Sequence, residues 1–220
     1  MTPASGRTGV LGGTFDPIHE GHVAAAEAAR QALALDQVLF IPSYRPPHRA
    51  AEPHASAFHR FAMVSLAVAP HPGFMASDVE LERPGPSYTA DTLRRLHEAG
   101  YEASQLFFIL GTDAFAEIAT WRDYPAVLDL AHFVVVARPG QALGLMRERV
   151  QDLVARMRLV ADGVPEGAAG PGCAVFLVNA GTPDVSSTEI RERAARSAPL
   201  AGLVAPDVER HIGRHRLYRR

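Results

Sequence analysis

The chain is 220 residues long and 47% hydrophobic, with a formal net charge of −2 and one cysteine, Cys173. That is enough for one good core, gives no global pull toward nucleic acid or an anionic membrane, and excludes a disulfide framework or a cysteine zinc site. All 22 basic residues are arginine, so a Walker A lysine, a lysine Schiff base and pyridoxal phosphate attachment are excluded too, even if base composition is the cause. No apolar stretch has signal-peptide or membrane-spanning length, and the expectation is a soluble, cytoplasmic protein.

In chain order, the apolar run Gly9 to Leu11 reads as a strand closed by a turn at Gly12-Gly13. Thr14, Phe15, Asp16, Pro17 and His19 form a tight loop, and Gly21-His22 opens an Ala-rich helix over Val23 to Leu35. Glycines let the backbone approach a ligand, and a helix start offers N–H groups to an anion. His19 and His22 stand three residues apart where loop becomes helix, so both can face one anion, which points to phosphoryl-group chemistry. The bland alternative is two imidazoles satisfied within the turn. A zinc hydrolase using Asp16, His19 and His22 is a further alternative, but His-Glu-Gly-His is one residue short of the zinc-protease spacing.

A strand at Val38 to Ile41 precedes a basic stretch, Arg45 to Arg60, that holds His48 and Arg49 and is either a loop over a phosphate or a solvated loop. Helices follow over Ala57 to Val68 and over Thr89 to Ala99, the second capped by Ser87-Tyr88-Thr89. The strand Leu106 to Leu110 ends in a turn at Gly111-Thr112-Asp113. Short helices over Ala114 to Ala119 and Ala126 to Leu130 flank Trp121-Arg122, where the lone tryptophan is either core or a stacking platform. Strands at His132 to Ala137 and Val175 to Asn179 bracket a variable segment, 141–174, with a helix expected over Leu145 to Val160 and a Gly/Pro/Ala linker over Gly163 to Gly172. Ser186, Ser187 and Thr188 open a helix carrying Arg191, an ordinary N-cap or a grip for polyphosphate. A last helix covers Pro206 to Arg214, and the arginines from Arg214 to Arg220 read as a solvated end.

Nearly continuous apolar strands alternating with helices imply an α/β fold: a doubly wound, Rossmann-like parallel sheet with helices on both faces and ligands at the C-terminal strand edge. One domain is expected over 1–220, with the variable segment at 141–174 and a helical C-terminal part at 186–218.

Taken together, Gly-Gly-Thr-Phe-Asp-Pro-Ile-His-Glu-Gly-His (12–22), Phe-Ile-Pro with Pro-Pro-His-Arg (40–42, 46–49), Ser-Tyr-Thr-Ala-Asp-Thr-Leu (87–93), Gly-Thr-Asp (111–113), Thr-Trp (120–121), Arg-Pro-Gly (138–140) and Ser-Ser-Thr-Glu-Ile-Arg (186–191) resemble the bacterial nicotinate-nucleotide adenylyltransferases of the His-x-Gly-His nucleotidyltransferase superfamily. His-x-Gly-His alone would indicate only the superfamily; the ordered Ser-Tyr-Thr and Thr-Trp segments narrow it. The resemblance implies transfer of the adenylyl group of ATP to nicotinate mononucleotide, in NAD biosynthesis, without a covalent enzyme intermediate. It implies His22, His19 and Arg191 as catalytic residues. It places ATP on Gly12, Gly13, Thr14, Phe15, His19, His22, Gly111, Asp113, Ser186, Ser187, Thr188 and Arg191. It places the mononucleotide on Asp16, His48, Arg49, Tyr88, Thr89, Trp121 and Arg122, with the pyridine ring stacked on Trp121 and its carboxylate read near Thr89 and Arg122. Mg²⁺ would come with ATP and take no protein side chain as ligand. The implied partners are these small molecules, with no nucleic acid, no membrane, and room for a homo-oligomer. Glu20 departs from the aromatic residue expected between the two histidines. A nucleotide-binding regulator without turnover and a sister transferase with another acceptor remain as alternatives.

Overall fold

The computed structural model describes residues 6–47, 52–137, 150–160 and 172–219. Strands β1 (Thr8–Gly13), β2 (Gln37–Pro42), β3 (Phe74–Ala76), β4 (Leu106–Gly111), β5 (His132–Ala137), β6 (Met157–Val160) and β7 (Val175–Asn179) form one sheet in the order β3-β2-β1-β4-β5-β7-β6. Its pairings run parallel, with Val10 opposite Phe108, Ile109 opposite Val134 and Val135 opposite Leu177. Helices α1 (Glu20–Leu33), α2 (Ala57–Val68), α3 (Thr89–Glu98), α4 (Thr112–Ala116), α5 (Ser187–Ala195) and α6 (Pro206–Arg214) alternate with the strands. This is the α/β architecture implied by the alternation of apolar runs. Every residue of β5 is buried, which is why its sequence reads as a continuous apolar run with no polar alternation. Among the described residues no helix is long and apolar enough to cross a membrane.

The described residues fall into two compact units, each with its own share of the core. The first draws on Met1–Leu11, Ala25–Val38 and Tyr88–Thr182; Phe107, Ile109, Phe133, Val135, Phe176 and Leu177 are buried within it. The second draws on Gly12–Ala24, Leu39–Ser87 and Pro183–Arg220, with Phe40, Met63, Val64, Ile190, Val208 and Ile212 buried.

Four local expectations need correction, one of them the turn at Gly111-Thr112-Asp113, where β4 runs to Gly111 and α4 begins at Thr112. Gly12 and Gly13 are the last residues of β1 and form no turn; the Ser43 N–H donates to the Gly13 carbonyl at 2.8 Å. The helix expected over Leu145 to Val160 is replaced, in its described part, by a 3₁₀ turn at Gln151–Arg156 and the strand β6, which pairs with β7. Val150, Leu153 and Met157 are all buried, and their three- and four-residue spacing imitates a helical face. In addition, α1 starts at Glu20 and ends at Leu33, because Ala34 takes a left-handed φ of 48° and the Leu35 N–H closes back on the Arg30 carbonyl at 2.9 Å. Most of the expected linker lies outside the described residues.

Candidate active site

The loop from Thr14 to His19 is held almost atom by atom. The Thr14 carbonyl accepts from Arg60 Nη1 at 2.6 Å. Phe15 takes a left-handed φ of 48° and its buried ring lies under Gly13, where a Cβ would come within 3.0 Å of it. A side chain at position 13 would therefore make the ring give way by a few tenths of an ångström. The Asp16 carbonyl accepts from Arg191 Nη1 at 2.7 Å, and the Pro17 carbonyl accepts from Ser187 Oγ at 2.9 Å. The Glu20 N–H reaches the Leu203 carbonyl at 2.9 Å and so fixes the first turn of α1.

The two histidines cap that helix. The His19 N–H donates to Nδ1 of His22 at 3.2 Å, so the third residue of the helix reaches back to its N-cap as in a capping box. An Nδ1 that accepts leaves the proton of a neutral imidazole on Nε2. His22 is thereby set as an Nε2–H donor. Its ring stacks on His19 at a centroid distance of 3.7 Å and meets the edge of Phe15 at 5.0 Å. Gly21 permits the arrangement: a Cβ there would stand 3.1 Å from His19 Nδ1 and 3.2 Å from the Pro183 carbonyl.

At α5, Ser186 is the N-cap and its hydroxyl accepts from the Glu189 N–H at 3.2 Å. Arg191 adds a bond from Nη2 to Thr188 Oγ1 at 3.0 Å. Two of its five N–H donors are thus engaged in orienting the guanidinium.

Asp16, which the resemblance implies as a mononucleotide contact, is bonded to the protein through both carboxylate oxygens. The residue is 2% exposed; Oδ2 accepts from the His54 N–H at 2.8 Å, and Oδ1 accepts from the Ala55 N–H at 3.0 Å and from the Tyr218 hydroxyl at 2.9 Å. Its carboxylate is spent on the protein. Arg60, 1% exposed, donates to the carbonyls of Ala55, Thr14 and Tyr44. Burial pushes its guanidinium below the ordinary value and the Asp16 charge draws it back up. Burial and the same carboxylate raise the Tyr218 phenol far above its ordinary range.

In the first unit a second group of the expected residues comes together. Tyr88 is the N-cap of α3 and gives it no side-chain cap; Thr89 is the first helical residue. The Arg122 guanidinium lies over the Tyr88 ring at 4.7 Å and pairs with Asp91 at 3.0 Å. Arg94 bridges Asp91 and Asp123 at 3.2 and 2.6 Å. Trp121 presents an edge contact to Phe108, ring centroids 6.0 Å apart. Gly111 is the N-cap of α4 and Asp113 sits exposed in its first turn. His48 and Arg49 lie outside the described residues.

Arg60 and Tyr218 escape sequence reasoning. Arg60 left a trace, as the one charge other than His59 inside the apolar run Ala57–Val68. Tyr218 left a fainter one, sitting with Leu217 in an arginine-rich end. That end is only partly solvated: Arg214, Arg216 and Arg219 are exposed, whereas Leu217 and Tyr218 are half-buried. Among the described residues no group of three or more His, Cys, Asp or Glu could hold a metal ion.

Residues 10–193 match the cytidylyltransferase-like family. The probable nicotinate-nucleotide adenylyltransferase of Roseiflexus sp. (strain RS-1) is 42% identical over 98% of this chain and 100% of its own length. That of Leifsonia xyli subsp. xyli is also 42% identical, over 97% of this chain and 94% of its own. In fold, the chain is similar to Plasmodium falciparum nicotinic acid mononucleotide adenylyltransferase complexed with NaAD, with a TM-score of 0.69, 16% identity and 97% of each chain covered. The chain belongs to the cytidylyltransferase-like family and, within it, to the nicotinate-nucleotide adenylyltransferases.

Proposed function

We propose that the protein transfers the adenylyl group of ATP to nicotinate mononucleotide, giving nicotinate adenine dinucleotide and pyrophosphate in NAD biosynthesis. The near-full-length similarity to relatives of that name supports the reading. The structural observation that carries it is the bond from the His19 N–H to His22 Nδ1, which makes His22 a fixed Nε2–H donor at the start of α1. A 5′-phosphate oxygen of the mononucleotide attacks the α-phosphorus of ATP in line; the bond from that phosphorus to the bridging oxygen breaks and pyrophosphate leaves. The protein supplies position and positive potential for the charge that spreads over the transferring group. His22 donates to the α-phosphate with His19 beside it, and Arg191 and the start of α5 hold the β- and γ-phosphates. Mg²⁺ arrives as part of the ATP substrate, coordinated by its phosphates.

For the acceptor, Trp121 is the stacking surface, and the start of α3, which no side chain caps, offers N–H groups to the pyridine carboxylate. Arg122 adds a cation whose pairing with Asp91 is half-exposed and readily exchanged. This chemistry favours an acid over a neutral amide. Asp16 has no ligand role in this reading, and the hydrolase alternative loses a carboxylate it needs, because both oxygens are taken by protein donors. A cytoplasmic setting accords with the one cysteine, whose thiol is raised by burial and so kept protonated.

The test is purified protein with ATP and Mg²⁺, offered nicotinate mononucleotide or nicotinamide mononucleotide, with dinucleotide and pyrophosphate measured. Preferred turnover of the acid is expected. Turnover of neither removes the proposal, and equal turnover of both removes the carboxylate argument.

A further inference from the structure

We propose that Tyr218 is a positioning residue for the transfer, acting on Arg191 and on the His19–His22 pair through Asp16. The reaction it serves is the one proposed above; the geometric claim stands apart from it.

The argument begins with what Asp16 requires. A carboxylate shielded from water must be met by donors, and Asp16 has its donors on two different pieces of chain. The His54 and Ala55 N–H groups belong to the segment just before α2, while the Tyr218 hydroxyl belongs to the segment after α6. The tail is shaped to deliver that hydroxyl. The Leu217 N–H folds back to the Ile212 carbonyl at 3.0 Å, and both Arg216 and Tyr218 take left-handed backbone angles, φ 52° and 65°. Neither residue is glycine, so the conformation carries a steric cost that the surrounding contacts must offset. The raised phenol stays protonated and remains a donor throughout the working pH range.

Asp16 passes this grip on through its backbone. Its own carbonyl aims Arg191, and the next carbonyl, that of Pro17, holds Ser187 at the start of α5. Two residues further on, the His19 N–H fixes the His22 ring. Tyr218 therefore sets the loop from which all three proposed catalytic side chains take their aim. Its hydroxyl is already committed to Asp16.

The test compares Tyr218→Phe, Tyr218→Leu and the exposed neighbour Arg219→Ala. If the hydroxyl positions the loop, Phe and Leu share a loss in kcat of roughly tenfold, because small misalignments of reacting groups are costly. KM for the mononucleotide stays within about twofold and Arg219→Ala behaves as wild type. In ligand-free protein, the ¹⁵N signals of the His19 and His22 rings shift in Tyr218→Phe, with circular dichroism unchanged. Wild-type kcat in Tyr218→Phe overturns the proposal, and so does a defect confined to Tyr218→Leu, which marks a packing role. If wild-type protein fails to join the two substrates, the reaction proposed above is wrong, and the histidine signals alone decide the role of Tyr218.

Discussion

The loop around Asp16 in the second unit and the cluster around Arg122 in the first are built from similar charges in opposite ways. Asp16 and Arg60 are almost fully buried, and each is met by several donors or acceptors of the protein itself. Asp91, Arg94, Arg122 and Asp123 form a chain of ion pairs whose side chains remain 35–50% exposed. Buried, fully bonded groups are costly to disturb and so fix geometry. Exposed pairs contribute about 0–1 kcal/mol and exchange partners easily. The first arrangement suits a reaction that depends on alignment, and the second suits recognition of an incoming anion.

Three substitutions would break or sharpen this contrast. His22→Ala removes the fixed donor and should lower kcat by about 10²–10³-fold with little change in melting temperature; an active mutant would take the chemistry away from the histidine. Arg60→Met strands three backbone carbonyls and leaves Asp16 without its buried cation, so denaturant unfolding should show a loss of about 3 kcal/mol. A loss below about 1 kcal/mol would mean that the loop is not held as described. The smallest effect belongs to Asp91→Asn. It should change stability by less than about 0.5 kcal/mol and lower KM for the acid acceptor a few-fold by releasing Arg122, an outcome read from initial rates. A large destabilisation there would erase the distinction between the two regions.

The fold was largely legible because buried strands announce themselves. Ala57–Val68, His132–Ala137, Val175–Asn179 and Pro206–Arg214 have the bounds expected from pattern and caps. The failures share a cause. β3 is only three residues long, and β6 lies at the sheet edge with Arg158 interrupting it and Leu159 exposed, so neither carries an apolar run of strand length. In the site, the residues that meet phosphate in the proposed reaction stand in short contiguous motifs and could be picked out by type and spacing. Arg60 and Tyr218 could not, since the contacts that tie them to this loop, to Thr14 and Asp16, lie 46 and 202 positions away. The protein partners of Asp16 were hidden for the same reason: a carboxylate beside two histidines suggests a ligand, and only the fold reveals the donors that meet it.

The bond between Asp16 and Tyr218 joins residues 202 positions apart. A contact of such long range forms only when the elements that carry its ends have been brought together. On the proposed role of Tyr218, a chain with its sheet assembled but its tail undocked would lack the alignment that the bond to Asp16 gives the loop.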